Sequence, residues 1–203
     1  SRVYAEDPYR NFLPSTGRLV RYRPPQETTQ GGVTVRNDTG VYEGGEISMY
    51  YDPMIAKLVT HASTREAAID AQADALDAFY IDGIQHNIPF LTALMQHERW
   101  REGRLSTGFI AEEYPGGFAA RVPDGYELGI LAAVAAAMDH LGNARRRHIT
   151  QQMSGRPFAF AKRRVVRIGT RDVHLEVAGG DEEPFRVAKV NGDASLGTDI
   201  EVV

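Results

Sequence analysis

Tyr50-Tyr51-Asp52-Pro53-Met54-Ile55-Ala56-Lys57-Leu58 sets an aromatic pair and an acidic turn ahead of an apolar run that carries a cation. Such a segment positions side chains around a ligand better than it fills a core. Upstream, Arg36 stands in Val35-Arg36-Asn37-Asp38, between Gly31-Gly32 and the turn at Gly40. Its guanidinium is permanently charged and forked, which suits a carboxylate, bicarbonate or a developing oxyanion. The competing reading is a solvated pair with Asp38 or Glu43. Asp52-Pro53 makes a rigid turn whose carboxylate can accept backbone donors as an Asx cap. That structural role is preferred over a catalytic one, because no partner acid is identifiable at suitable spacing. Lys57 lies in an apolar run, where an unpaired ammonium is costly. It is therefore expected to reach an acid such as Glu46 or the sheet edge, with ligand contact as the weaker option.

Other self-contained chemistries find no footing. His61, His86, His97, His140, His148 and His174 are dispersed without an H-E-x-x-H pair or a close triplet, so no metal site is expected. The chain lacks a G-x-x-x-x-G-K-[ST] loop, a G-x-G-x-x-G loop and a G-x-S-x-G elbow. ATP, dinucleotide and acyl-serine chemistry thus have no complete site here. The absence of cysteine excludes disulfides, a thiol nucleophile and thiolate metal sites, and a reducing compartment fits. A formal net charge of -4 disfavours a general nucleic-acid binder. Locally, however, Arg145, Arg146, Arg147, Arg156, Lys162, Arg163, Arg164, Arg167 and Arg171 follow one another with no acid between Asp139 and Asp172. Such a belt could hold RNA or DNA through phosphates, yet the aromatic spacing of an RNA-binding sheet is missing. A docking surface for an acidic partner subunit, or plain charge at a helix C-terminus, is the preferred reading.

The elements that must position these residues fall into two parts. The 203 residues, 42% hydrophobic and 25% charged, suffice for one full core or two small ones. Val3 to Ala5, Leu19 to Tyr22 and Val33 to Val35 are candidate strands separated by proline and glycine breaks. Residues 54 to 60 form the most apolar strand and are expected at the centre of the sheet. Ser63 and Glu66 read as a capping box opening a helix with Ile69, Ala73, Leu76 and Tyr80 on one face, ended by Asp82-Gly83. Asn87 is expected to cap a second helix, with Pro89 in its first turn and Phe90, Leu91 and Leu94 buried. This makes an α+β unit, an antiparallel sheet with packed helices, over residues 1–118. Gly116 to Pro123 reads as a linker. A helix from Asp124 to about Arg147, ~35 Å long, is so apolar that it is expected to be wrapped rather than laid on one surface. Phe158 to Ala161, Arg164 to Ile168, Val173 to Ala178 and Phe185 to Val190 alternate like strands that supply part of that cover but are short for a closed barrel, within a second domain over residues 119–203. The apolar run Ile130 to Met138 is too short to cross a bilayer.

Several motifs, in order, resemble one known family. Arg2-Val3-Tyr4-Ala5-Glu6-Asp7-Pro8, Phe12-Leu13-Pro14-Ser15-Thr16-Gly17, Val35-Arg36, Tyr50 to Leu58 and Asp82-Gly83-Ile84-Gln85-His86-Asn87 look like the C-terminal subdomain of biotin carboxylase. Within that family, Ile47 to Asp52, His86-Asn87-Ile88 and Tyr114-Pro115-Gly116-Gly117-Phe118 are most similar to the α subunits of propionyl-CoA carboxylases. Methylcrotonyl-CoA and acetyl-CoA carboxylases are the alternatives. The apolar helix and strand-rich tail resemble, by architecture only, the start of the domain linking carboxylase to carboxyltransferase, which implies part of an antiparallel β-barrel around the long helix.

The resemblance implies that bicarbonate, activated by ATP and Mg2+, carboxylates biotin, and that a carboxyltransferase β subunit then passes the carboxyl group to the acyl-CoA. It assigns catalysis to Arg36, which steadies the enolate-like charge of the biotin ureido oxygen. Tyr51 and Asp52 frame that wall of the biotin site, while Lys57 is closer to scaffolding. The implied partners are the β subunit and a biotin carboxyl carrier domain in a hetero-oligomer, with no nucleic acid and no membrane. The setting is the bacterial cytoplasm or the mitochondrial matrix. Because the chain opens as if within a strand, it is expected to be a piece of a longer polypeptide that does not catalyse alone. The ATP-grasp region would precede Ser1, and the Ala-Met-Lys-Met biotin motif would follow Val203. A noncatalytic assembly or nucleic-acid-docking module built on the 145–171 belt is the alternative of a different class.

Overall fold

In the computed structural model, residues 1–119, 121–147, 149, 161–180, 183–189 and 200–202 are described. The strands are β1 (Arg2–Tyr4), β2 (Glu6–Asp7), β3 (Leu13–Pro14), β4 (Gly17–Arg18), β5 (Arg21–Arg23), β6 (Thr28–Gln30), β7 (Val33–Thr39), β8 (Glu46–Ile47), β9 (Met54–His61), β10 (Tyr80–Asp82), β11 (Arg163–Ile168), β12 (Arg171–Gly180), β13 (Glu183–Lys189) and β14 (Ile200–Val202). The helices are α1 (Arg65–Asp77), α2 (Ile88–Gln96), α3 (Glu98–Arg101), α4 (Phe109–Glu113) and α5 (Gly125–Arg147). The chain divides into two compact units, Ser1–Ala120 and Arg121–Val203.

In the first unit the apolar run of β9 takes the interior position of an antiparallel sheet ordered β1-β9-β7-β6. Ile55, Ala56 and Leu58 of β9 are buried with Val3 of β1 and with Ile69 and Leu76 of α1. β7 is longer than the sequence predicts, because the polar stretch Arg36-Asn37-Asp38-Thr39 continues the ladder against β9. The predicted strand through Tyr22, β5, lies outside this sheet and pairs with β10 instead. Thr64, not Ser63, caps α1 by accepting the Ala67 N–H at 3.1 Å. α1 also stops at Asp77, so Tyr80 lies on β10 and half of its surface stays exposed. Asn87 precedes α2 as expected but makes no side-chain cap. Its amide instead accepts the Tyr4 N–H at 2.9 Å and donates to the Arg2 carbonyl at 3.2 Å, which ties the start of α2 to β1. Phe118, expected in a linker, stacks on Tyr9 and meets Phe90 and Tyr114 edge-on.

The second unit corrects the expected barrel. Its strands form an open antiparallel sheet ordered β11-β12-β13-β14, and no sheet among the described residues closes. The predicted strand Phe158 to Ala161 and the belt residue Arg156 lie outside the described residues, except for Ala161 itself. Among the described residues α5 is laid on one face of that sheet. It buries small residues, Ala132, Ala133, Ala136 and Ala137, against Val173, Leu175 and Val177. Leu131, Val134, Met138 and Leu141 stay 46–69% exposed. An all-apolar helix suggests wrapping only if its large residues need cover; here alanines make the contact and allow a close approach to one flat layer. No helix among the described residues is long and apolar enough to cross a membrane.

Candidate functional site

Alternation along β7 and β9 decides what faces outward. Arg36 lies opposite Val59 and Asp38 opposite Lys57, while Arg2 of β1 lies opposite Lys57 on its other side. Successive residues face opposite sides of a sheet, so Arg2, Lys57, Arg36 and Asp38 share the outer face, and all four are exposed. Leu58 and Ala56 face the core. Arg36 donates through Nη2 to one carboxylate oxygen of Asp38 at 3.3 Å, and its Nε lies 3.1 Å from the other in an ion pair. Of the two candidate partners for Arg36, Asp38 is the one used. Glu43 is occupied by Arg21 Nη1 at 3.0 Å and by the Tyr22 N–H at 3.1 Å. The Tyr22 backbone bond, followed by Arg21, holds its carboxyl below the usual range.

Beside this pair opens a cleft of about 470 Å3 whose lining includes Asp38, Glu46, Ser48, Tyr51, Asp52 and Lys57. The fold thus gathers Tyr51, Asp52 and Lys57 at one cleft, and Arg36 touches it only through Asp38. Tyr51 is 83% exposed. The Asp52 carboxylate accepts the Met54 N–H at 3.1 Å in an Asx turn. Lys57 forms no ion pair with a described residue, so its expected pairing with Glu46 is not made; its outward position removes the need, because water solvates the ammonium.

Residues 1–112 match the biotin carboxylase C-terminal domain, and residues 131–200 match the propionyl-coenzyme A carboxylase BT domain. The chain belongs to the biotin carboxylase C-terminal domain family. The propionyl-CoA carboxylase alpha chain of Ruegeria pomeroyi is 49% identical over 194 residues, covering 88% of this chain and 28% of that protein. The mitochondrial propionyl-CoA carboxylase alpha chain of Mus musculus is 39% identical over 195 residues, covering 95% of this chain and 25% of that protein. The chain therefore spans about a quarter of the length of the curated relatives it matches. Among solved structures, the biotin carboxylase domain dimer of Hydrogenobacter thermophilus 2-oxoglutarate carboxylase, in complex with MgADP, ADP and bicarbonate, superposes with a TM-score of 0.51 at 34% identity. That match covers 59% of this chain and 25% of the other.

Within this biotin carboxylase C-terminal domain, Glu6 and His86 have titration shifts that their local sequence does not signal. Glu6 on β2 is held above the usual carboxylate range, first by burial and then by the charge of Asp52. The fold therefore supplies an acid near Asp52 that spacing could not reveal, since Glu6 on β2 and the Asp52 turn before β9 are far apart in sequence. His86 is partly buried, its Nδ1 has no hydrogen-bond partner, and burial pushes its pKa down. Among the described residues no group of three or more His, Asp or Glu is arranged to hold a metal ion. The basic belt is also less free than it reads. Arg164 donates to Asp139 at 2.8 Å, and Arg167 grips both oxygens of Asp172 at 2.6 and 2.8 Å. The two acids that bound the belt in sequence thus neutralise two of its cations.

Proposed function

We propose that the chain is part of the biotin carboxylase subunit of a propionyl-CoA carboxylase. Residues 1–118 form the C-terminal subdomain of the carboxylase, and residues 119–203 form part of the BT domain that links it to carboxyltransferase. The observation that carries this reading is the similarity to the Ruegeria pomeroyi alpha chain, which extends over 88% of this chain and so runs through both units. In the whole protein, ATP and Mg2+ would supply the activation of bicarbonate, and biotin would be the acceptor of the carboxyl group. The β subunit then delivers it to propionyl-CoA, with the biotin carried on a carboxyl carrier domain. The ATP and Mg2+ sites are assigned to parts of the protein outside this chain.

Bound biotin would supply a ureido group whose nitrogen is the carboxyl acceptor and whose oxygen takes up negative charge, and Arg36, Tyr51 and Asp52 are the residues that would hold it. The residues here suit that charge. Arg36 holds a permanent cation at an exposed sheet face, with its Nε edge taken by Asp38 and its Nη1 edge open. Its effect is electrostatic: a donor already aimed at developing charge lowers the barrier without reorganising during the reaction. Tyr51 and Asp52 form the adjoining wall, where the aromatic ring offers an apolar surface and the turn holds the segment in place.

The test is turnover of the complete enzyme assembled with its partner subunit. Arg36→Ala is expected to lower biotin- and bicarbonate-dependent ATP cleavage by about 10²-fold or more, equivalent to ~3 kcal/mol of barrier. Its unfolding free energy should change by less than about 1 kcal/mol, because the ion pair is exposed. Unchanged turnover at saturating biotin would remove Arg36 from the mechanism. Comparing propionyl-, acetyl- and methylcrotonyl-CoA as acceptors checks the substrate; preferential carboxylation of either of the other two would reassign the enzyme within the family.

A further inference from the structure

Asp38 stands between Arg36 and the cleft, and the carboxylation reading leaves it without a role. Its carboxylate meets Nε and Nη2 of Arg36, a side-on fork that fixes the plane of the guanidinium and leaves the Nη1 edge open to a second acceptor. Arg36 and Asp38 are two positions apart on one strand, so the fork spans neighbours on the same face and is anchored by the β7 and β9 ladder. The surroundings argue against simple charge balance. Lys57 lies directly across from Asp38, and Arg2 lies across from Lys57, yet Lys57 forms no ion pair with a described residue. Both Asp38 oxygens serve Arg36. Asp38 also lines the cleft, whereas Arg36 does not.

We infer that Asp38 is a positioning residue for biotin carboxylation: it holds the Arg36 guanidinium so that its Nη1 edge is presented to the ureido oxygen. The inference rests on the reading of Arg36 given above. An arginine on an open sheet face otherwise samples many rotamers, and each must be surrendered when charge develops on the ligand. A fork built in the resting protein removes that step and leaves the cation able to bind at its free edge.

The experiment uses the complete enzyme with its partner subunit and compares Asp38→Ala, Asp38→Asn, Asp38→Glu, Arg36→Ala and the Arg36→Ala/Asp38→Ala double variant. Asp38→Ala and the isosteric Asp38→Asn are expected to lower kcat for biotin-dependent ATP cleavage about 10-fold while KM for ATP stays within about twofold. Asp38→Glu should recover part of the loss. The double variant should be no slower than Arg36→Ala alone, because Asp38 acts through Arg36. A wild-type or raised kcat in Asp38→Asn, beside a crippled Arg36→Ala, overturns the role of Asp38 and leaves Arg36 standing. Losses that multiply in the double variant overturn it as well. A neutral Arg36→Ala instead removes the underlying reading, so the two failures are told apart. Asp38→Asn preserves shape, so it remains informative if Asp38→Ala folds poorly.

Discussion

His86 sits partly buried with Nδ1 unpartnered, and burial favours its neutral form. Its pKa in the folded state therefore lies below the unfolded value of about 6.5, and between the two values the unfolded chain binds the extra proton. The stability of the first unit should be at its full value above that pH and fall as the pH drops through the folded pKa. Urea unfolding at about pH 7.5 and about pH 5.5 should show the loss, and His86→Gln should reduce it. A second test concerns Asn87, which is buried and bonded to both Tyr4 and Arg2. Asn87→Ala leaves the Tyr4 donor without its acceptor and should cost about 2 kcal/mol in unfolding free energy. Single residues were unevenly legible in the sequence. The Asp38 partner of Arg36 could be read because it lies two positions away. The influence of Asp52 on Glu6 could not, because only the tertiary pairing of distant strands brings them near.

Elements show the same division between local and tertiary signals. β9 announced its interior position through its apolar content, and α2 announced its start through Asn87 and Pro89. The end of α1 was misread because Tyr80 continues the helical spacing of apolar residues. Backbone pairing of Tyr80 with Arg23 of β5 overrides that spacing. The turn after β10 depends on Gly83, which has φ +102 and whose added Cβ would collide with the Arg18 carbonyl oxygen and the Val20 nitrogen. Gly83→Ala should cost about 3 kcal/mol or more, measured by chemical unfolding, because both backbone strain and a steric clash must be relieved. On α5 the sequence marked the helix but not which apolar residues it buries. Ala133→Leu should destabilise the second unit by about 1–3 kcal/mol through overpacking against the sheet. Met138→Ala, on the exposed side, should change stability by less than about 0.5 kcal/mol.

At the scale of the molecule, the described residues form two hydrophobic cores that share no residue, one around Val3, Leu58 and Leu76 and the other around Ala132, Ala133 and Leu175. Calorimetry should accordingly resolve two transitions, with Leu58→Ala lowering one and Leu175→Ala lowering the other. Each truncation removes buried methyl groups and is expected to cost about 2–5 kcal/mol in its own unit. Composition and the alternation of strand and helix patterns made the α+β character readable. The open sheet was not readable, because closure depends on long-range strand pairing that alternation within one strand does not encode. Along β7 only every second residue reaches the outer face, so one residue lost between Gly32 and Arg36 would put the Asn37 amide where the guanidinium stands, and one residue gained would put the Val35 side chain there. Descendants of this gene can lengthen or shorten that arm of the hairpin only in even steps. A homologue with an odd-numbered indel there has surrendered its outward cation, whatever its overall similarity.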